Sequence, residues 1–245
     1  MINVYMVVSR RLRKFEGLNN DLNSLVSLDV FFKYLSEYAQ NGKAKFNESV
    51  DMCFKIGLDP KKSDQVIKSS CVLPNGSGRS VDIAVFSSGA NNDSLISAGA
   101  KYAGGDELID RIVTKQLIPG KDFSLCLASP EMMVKLGKIA RILGPKGIMP
   151  NAKLGTVSED LVGSVSDAIK GRAELRTDKL GYIRLSVGRI DFDHNKLKGN
   201  ILAVYEALKA VKPASIKGTY FVGLKLSSTM MGRSFSIKMS DIYNS

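Results

Sequence analysis

The sequence is poor in the residues that most often carry catalysis or cross-links. Its 245 residues include one histidine, three cysteines and no tryptophan. Cys53, Cys71 and Cys126 lie far apart and form no Cys-x-x-Cys pair, which argues against a disulfide scaffold or a zinc site and fits a reducing cytosol. Each of them lies among apolar residues, so we predict that all three fill small spaces in the core.

Long apolar runs are also missing. We find no continuous stretch that could cross a bilayer, and no cleavable secretory signal is expected at the N-terminus. In MINVYMVVSRRLRK the basic cluster Arg10–Lys14 follows the short apolar stretch, whereas a secretory signal has its positive charges first. Contact with phosphate and exposure as a solvated arm both remain open for this cluster.

Acidic residues are scarce relative to basic ones. The chain has 35 lysines and arginines against 24 aspartates and glutamates, a formal net charge of +11. Such an excess indicates polyanionic partners, namely RNA, DNA or an anionic membrane surface. Hydrophobic residues make up 44% of the chain, enough to build one large domain or two of ordinary size.

The hydrophobic pattern changes twice along the chain. Residues 27–41 have helical spacing and residues 50–58 alternate as in a strand, after which VLPNGSGRS is typical of a boundary. Short apolar strands and helices then alternate as far as Gly171, including a continuous helix predicted over residues 130–143. The last part contains two strands joined by a turn at Asp178–Gly181, a helix at 195–213 and another alternating stretch.

These patterns predict an α/β protein of two domains. A discontinuous α+β domain is expected from residues 1–74 and 170–245, with an α/β domain inserted at residues 75–169. The two chain crossings, near Pro74–Gly78 and Ala168–Gly171, are expected to act as hinges.

Motifs of nucleotide-binding enzymes are missing from the insert. No stretch matches G-x-x-x-x-G-K-[ST], and NGSGRSV lacks the third glycine of a dinucleotide fingerprint. His194 would have to serve any histidine-based acid–base site, but a polar surface residue is the favoured interpretation. Asp191 and Asp193 could pair on one strand face for glycoside chemistry, although acids that precede a helix are favoured.

One basic window stands out instead. Between Met132 and Ser158 there is no acid, and the five basic residues are Lys135, Lys138, Arg141, Lys146 and Lys153. Lys138 and Arg141 are three apart and would share one helix face. Glycines on both sides of Lys146 allow close approach of a phosphate backbone. A turn with solvated lysines explains the window about equally well.

Three shorter segments in the flanking parts suggest RNA contacts, each weakly. Lys45 and Phe46 precede a strand, where the ring could stack on a base or pack in the core. Arg176 and Lys179 surround a turn that an ordinary hairpin would also explain. The segment KLSSTMMGRS ends a strand with hydroxyl groups that could meet ribose and phosphate.

Several segments, taken together and in order, resemble the bacterial form of the L-one family of large-subunit ribosomal proteins. The most specific is LGPKGIMPNAKLGTV, and the others are KFNESVD, KKSDQ, VLPNGSGRSV, FSSGAN, RTDKLGYI, KPASIKG and SSTM. The resemblance extends from about Arg10 to Met239. It implies that the inserted domain is Rossmann-like and that both termini belong to the other domain.

The resemblance implies a structural, non-enzymatic role. Proteins of this kind bind a mobile helical stalk of large-subunit ribosomal RNA near the tRNA exit site and assist the release of deacylated tRNA. Many also repress their own operon by binding a similar fold in the messenger RNA. The expected protein is cytoplasmic and ribosome-associated, a monomer off the ribosome, and needs no cofactor, metal or membrane.

The resemblance also implies particular contact residues. On the terminal domain, the RNA surface is expected at Lys45, Phe46, Asn47, Glu48, Ser49, Arg176, Asp178, Lys179, Ser228, Thr229, Met230 and Gly232. Secondary contacts of the insert are expected at Lys138, Arg141, Lys146 and Lys153.

The chain departs from the family pattern in places. Met230-Met231-Gly232 carries one residue more than the usual Thr-Met-Gly segment, which leaves open which methionine lies at the contact. Asn47 stands where an acid is common, LIPGKDF is longer than usual, and MINVY precedes the usual start, so Met1 and Met6 are both candidate first residues.

The rival functions are a nonspecific basic RNA-binding protein and a nucleotide-binding hydrolase that uses the insert.

Overall fold

The computed structural model describes residues 25–41, 44–60, 62–89, 92–213, 216 and 218–243. Its strands are β1 (Leu25–Val26), β2 (Ser49–Ile56), β3 (Lys68–Val72), β4 (Ile83–Phe86), β5 (Tyr102–Gly104), β6 (Leu125–Ala128), β7 (Arg172–Arg176), β8 (Tyr182–Arg189), β9 (Phe221–Ser228) and β10 (Ser234–Ile237). Its helices are α1 (Leu28–Asn41), α2 (Asn92–Ser97), α3 (Asp106–Val113), α4 (Met132–Leu136), α5 (Ala140–Leu143), α6 (Leu161–Gly171), α7 (His194–Ala210) and α8 (Ser240–Tyr243). The N-terminal basic cluster and both candidate start residues lie outside the described residues.

The chain divides into two compact units. One contains the residues up to Ile67 and those from Arg176 onward, and the other runs from Lys68 to Leu175. Both segments expected to act as hinges fall inside the second unit. The backbone explains why: Leu73 donates its N–H to the carbonyl of Gly171 at 3.0 Å, which ties the glycine-rich stretch to the end of α6. Among the described residues, no helix is long and apolar enough to cross a membrane.

A five-stranded sheet organises the first unit, in the order β1-β10-β9-β2-β8. Strand β2 lies between β8 and β9 and is antiparallel to both. Its alternating residues Val50, Met52, Phe54 and Ile56 are all buried, which confirms the predicted period of two. Helix α7 is held on this buried face, where the Asn200 side chain donates to a β8 carbonyl at 2.7 Å.

The second unit contains a three-stranded parallel sheet in the order β5-β4-β6, with apolar clusters on both faces. Ile83 and Val85 of β4 pack in one cluster, with residues from α2 and α6. Phe86 of β4 belongs to the other, with residues from α3, α4 and α5. Buried strands between helices on both sides explain the short apolar runs, and the prediction of a mixed α/β chain is confirmed.

One local prediction is wrong. Residues 130–143 do not form one helix, because a 3-10 turn at Gly137–Ile139 separates α4 from α5. Glycine at this point weakens the helix, while Leu136 and Ile139 on either side of the break are both buried in the core. The two strands predicted on either side of the turn at Asp178–Gly181 are confirmed as β7 and β8, although β7 pairs with β3 and only the isolated bridge Thr177–Ile183 joins the two segments.

The prediction that the cysteines fill spaces in the core is confirmed for one of the three. Cys126 is buried in β6, where burial raises the pKa of its thiol to about 12. Cys53 and Cys71 are only half-buried. Cys53 alternates with the buried residues Met52 and Phe54 of β2, so it lies on the opposite face of that strand.

Candidate nucleic-acid interface

Two loops meet at one end of the five-stranded sheet. Residues 44–48 lead into β2, and residues 229–233 connect β9 to β10. Val50 of β2 lies opposite Ser228 of β9, so the loops are neighbours. The Thr229 N–H donates to the Ser49 carbonyl at 3.1 Å, and the two hydroxyl oxygens are 2.9 Å apart. We call this region the loop pair.

The tips of the loop pair are exposed. Lys45, Asn47 and Thr229 face solvent, and Phe46 and Met230 are 53% and 52% exposed. The alternative that Phe46 packs in the core is therefore wrong. An exposed aromatic ring, an ammonium group and a hydroxyl group are the functional groups that stack on bases and contact ribose and phosphate.

The structure distinguishes the two consecutive methionines. Met231 is fully buried, with 0% of its surface exposed, whereas Met230 projects into solvent. Gly232 follows with a φ of +68°, a conformation that favours glycine and lets the chain turn back into β10. Of the two methionines, Met230 is therefore the one available for contact.

Glu48 is not available for the direct RNA contact predicted for it, because its side chain is 0% exposed. One carboxylate oxygen, Oε1, accepts hydrogen bonds from the Tyr38 hydroxyl at 3.0 Å and from the Ala44 N–H at 2.8 Å. The other, Oε2, accepts from the Ser228 hydroxyl and from the Met230 N–H, the latter at 3.0 Å. Ser49 and Ser228 are each only 5% exposed. Their hydroxyl groups, like the Glu48 carboxylate, hold the loop pair together beneath its surface.

The hydrogen bonds to Glu48 set its charge state. Burial by itself would raise the pKa of this carboxyl group, but the bonds from Ser228, Ala44, Met230 and Tyr38 outweigh burial and lower the pKa below its usual 4.5. The carboxylate is therefore ionised at neutral pH, with four neutral donors around it.

Acid is expected to remove stability that Glu48 supplies. Because its pKa is lower in the folded chain, the contribution is fully present above pH 4.5 and is lost as the pH falls through the folded pKa. Urea midpoints at about pH 7 and about pH 3, measured for the parent and for Glu48→Gln, should differ most at the higher pH. An equal gap between the two proteins at both pH values would contradict this assignment.

The other predicted contacts of this unit lie elsewhere. Arg176, Asp178 and Lys179 are exposed and surround the turn before β8. Tyr182, the first residue of β8, lies opposite Lys55, whereas Ser49 lies opposite the last. Six residues of strand separate the two ends, or roughly 20 Å. Asp178 also forms a salt bridge with Arg184 at 3.0 Å, so its carboxylate already has a partner within this unit.

A polar face of the sheet connects the two ends. Lys55, Arg184 and Lys225 are exposed on this face, where Arg184 is also salt-bridged to Asp178. Cys53 pairs in register with both Arg184 and Lys225. Sequence reasoning did not select these three cations. The alternation of β2, β8 and β9 contained the signal, because charged residues that alternate with buried ones must share the opposite face.

The basic residues of the second unit differ in availability. Lys138, Arg141 and Lys153 are exposed. Lys146 is exposed as well; its ammonium group donates one hydrogen bond to the carbonyl of Pro119, which leaves its charge and its other N–H donors available. Lys135, outside the predicted set, forms a salt bridge with Asp106 at 2.7 Å.

His194 and Asp193, which were considered for catalysis, occupy ordinary positions in the fold. His194 stacks on Phe32 with ring centroids 5.1 Å apart, and Asp193 is the residue that precedes α7, as the favoured interpretation had it. Within the described ranges, no group of three His, Cys, Asp or Glu side chains could hold a metal ion. A depression of about 460 Å³ at the carboxyl ends of β4 and β5 is lined by Asp106 and Glu107 and also by Arg111 and Lys135, so its charges are mixed.

Comparison with known proteins gives consistent matches. Residues 35–231 match the model of the Ribosomal protein L1p/L10e family. The large ribosomal subunit protein uL1 of Hydrogenovibrio crunogenus is 40% identical over 227 residues, covering 92% of this chain and 95% of that protein. The uL1 protein of Coxiella burnetii is 45% identical over 188 residues, 77% of this chain and 79% of its own length. That of Persephonella marina is 37% identical over 210 residues, 86% of each chain.

Proposed function

Because the chain belongs to the ribosomal protein L1p/L10e family, we propose that it is a structural constituent of the large ribosomal subunit that binds the mobile stalk of large-subunit rRNA. The observation that carries the proposal is the loop pair. It presents Phe46, Thr229 and Met230 to solvent on a base held by buried hydrogen bonds. A rigid base with exposed stacking and hydroxyl groups suits the splayed bases and ribose hydroxyls of folded RNA.

The polar face of the sheet extends the contact. Lys55, Arg184 and Lys225 lie between the loop pair and the turn that carries Arg176 and Lys179. A path of roughly 20 Å matches several phosphates along one strand of RNA. Phosphate contacts here position the protein, and the loop pair supplies selectivity for the RNA fold.

The second unit has a supporting part in this proposal. We regard it as the inserted, Rossmann-like domain of a two-domain protein whose other domain contains both chain ends. Lys138, Arg141, Lys146 and Lys153 would make secondary contacts with stalk RNA or with tRNA at the exit site. The proposed assistance in releasing deacylated tRNA, repression of its own operon, and location on cytoplasmic ribosomes rest on the family resemblance.

Two rivals have less support. A nonspecific basic RNA-binding protein would explain the net charge of +11, but it needs no ordered loop pair. A nucleotide-binding hydrolase would use the second unit, whose sequence lacks both a phosphate-binding loop motif and a dinucleotide fingerprint. Thermal melts with nucleotides would support the hydrolase if they gave a clear upward shift.

Competition binding tests the proposal. The chain should bind a fragment of the large-subunit stalk RNA, and excess unrelated duplex RNA should fail to displace it. Affinity should fall with salt, with a log–log slope of about 0.9 per neutralised phosphate. Equal displacement by the unrelated duplex would favour the nonspecific rival, and a chain that binds neither RNA would overturn the proposal.

A further inference from the structure

The Glu48 carboxylate closes the base of the loop that carries Phe46. It accepts a hydrogen bond from the N–H of Ala44, four residues earlier, at 2.8 Å. Between these two residues the loop rises to its exposed tip at Lys45, Phe46 and Asn47. The length of the loop and the position of its tip are therefore set by a side chain that has no exposed surface.

The same carboxylate reaches the second loop of the pair. Ser228 and Met230, which donate to it, follow Glu48 by 180 and 182 residues in the sequence. Met230 is thus anchored through its backbone while its side chain projects into solvent. Each carboxylate oxygen binds one backbone N–H, at Ala44 or at Met230, and one hydroxyl group.

We propose that Glu48 is a positioning residue for RNA binding, which fixes Phe46 and Met230 relative to each other without contacting RNA. This inference rests on the proposed function. It assigns selectivity for the RNA fold to an anion buried in a protein whose surface is cationic. A negative charge near RNA should by itself weaken binding, so a favourable effect of Glu48 must act through geometry.

Glu48→Gln is the sharpest substitution because the amide cannot reproduce both pairs of hydrogen bonds. The Ser228 and Tyr38 hydroxyl groups can rotate to become acceptors, but the N–H groups of Ala44 and Met230 cannot. In either orientation the glutamine –NH₂ group faces one of these N–H donors. One loop must therefore move away from the carboxylate site.

Measured affinities for stalk RNA should distinguish an effect of Glu48 on loop geometry from an effect of its negative charge. We expect Glu48→Gln to bind at least about tenfold more weakly than the parent, with an unchanged salt slope, since no phosphate contact is lost. The matched control is Glu206→Gln, which removes the same charge from an exposed position on α7 and should bind as the parent does or slightly more tightly. Parent-like or tighter binding by Glu48→Gln would overturn the inference.

A spectroscopic measurement distinguishes positioning from general stability. The chain has no tryptophan, so Phe46→Trp places a single tryptophan at the loop tip, whose fluorescence can be excited selectively over that of the eight tyrosines. In this background, without RNA, Glu48→Gln should lower the fluorescence anisotropy of Trp far below the melting temperature, whereas Glu206→Gln should not. Unchanged anisotropy in a folded Glu48→Gln protein would mean that the carboxylate does not fix the loop.

Tyr38→Phe keeps the inference testable if Glu48→Gln fails to fold. It removes one of the four donors and leaves both backbone N–H bonds in place, so we expect about a two- to threefold loss of RNA affinity and a smaller fall in anisotropy. A folded Tyr38→Phe protein with neither change would contradict the inference. Failure of the parent to bind stalk RNA would instead count against the proposed function.

Discussion

Replacing Phe46 by alanine is expected to weaken binding of stalk RNA by on the order of 10- to 100-fold while leaving the fold intact. The ring is 53% exposed in the free protein, so little core packing is lost with it. In the complex, stacking of a base on an aromatic ring contributes about 1–3 kcal/mol. Affinity for the RNA fragment, measured by titration, and the thermal midpoint of the free protein check both parts of this expectation.

The matched control for Phe46 is Val30→Ala. Val30 is 50% exposed on α1, away from the loop pair, and its truncation also removes exposed apolar surface. We expect it to bind stalk RNA as the parent does. If both variants bind like the parent, the ring of Phe46 does not contact RNA, and the loop pair is not the recognition surface.

Replacing Gly171 by alanine is expected to destabilise the second unit by about 3 kcal/mol. Gly171 has a φ of +110°, which side chains rarely adopt. An added Cβ would lie 2.7 Å from the Ser77 nitrogen and 2.8 Å from the Gly76 Cα, and neither backbone atom can rotate away. The same glycine accepts the Leu73 N–H, so relief of the clash would also strain that hydrogen bond.

Gly137→Ala provides the comparison for this substitution. Gly137 has a φ of −54°, and an added Cβ would meet no atom within 4 Å. Alanine should therefore be neutral or stabilising by up to about 1 kcal/mol, since it is the better helix former. Urea unfolding of the two variants measures the difference, and a Gly171→Ala midpoint equal to that of Gly137→Ala would contradict the predicted strain.

Much of the local structure could be predicted because it depends on short-range patterns. The alternation of Val50, Met52, Phe54 and Ile56 indicated β2, and the helical spacing of residues 27–41 indicated α1. The 3-10 turn at Gly137 was missed because helical spacing of apolar residues persists across it. The boundaries between the two units differ from the predicted ones, because the glycine-rich stretch looks like a linker but is hydrogen-bonded within the second unit.

The candidate site was predictable as a set of residues, but their individual roles were not. Sequence similarity selected the two segments that form the loop pair. It did not distinguish Phe46, which is exposed, from Glu48, which is buried two positions later. It also grouped Arg176 and Lys179 with the loop pair, although strand register places them at the other end of β2.

By itself the sequence determined the excess of positive charge, the family, and the helices and strands that make the chain an α/β protein. These properties depend on composition and on neighbours a few positions apart. Only the tertiary structure decided that Met230 is exposed while Met231 is buried, and that Glu48 serves as an internal anchor. The physical reason is that the Glu48 anchor requires partners some 180 residues apart in the sequence, which only the pairing of β2 with β9 brings within hydrogen-bond distance.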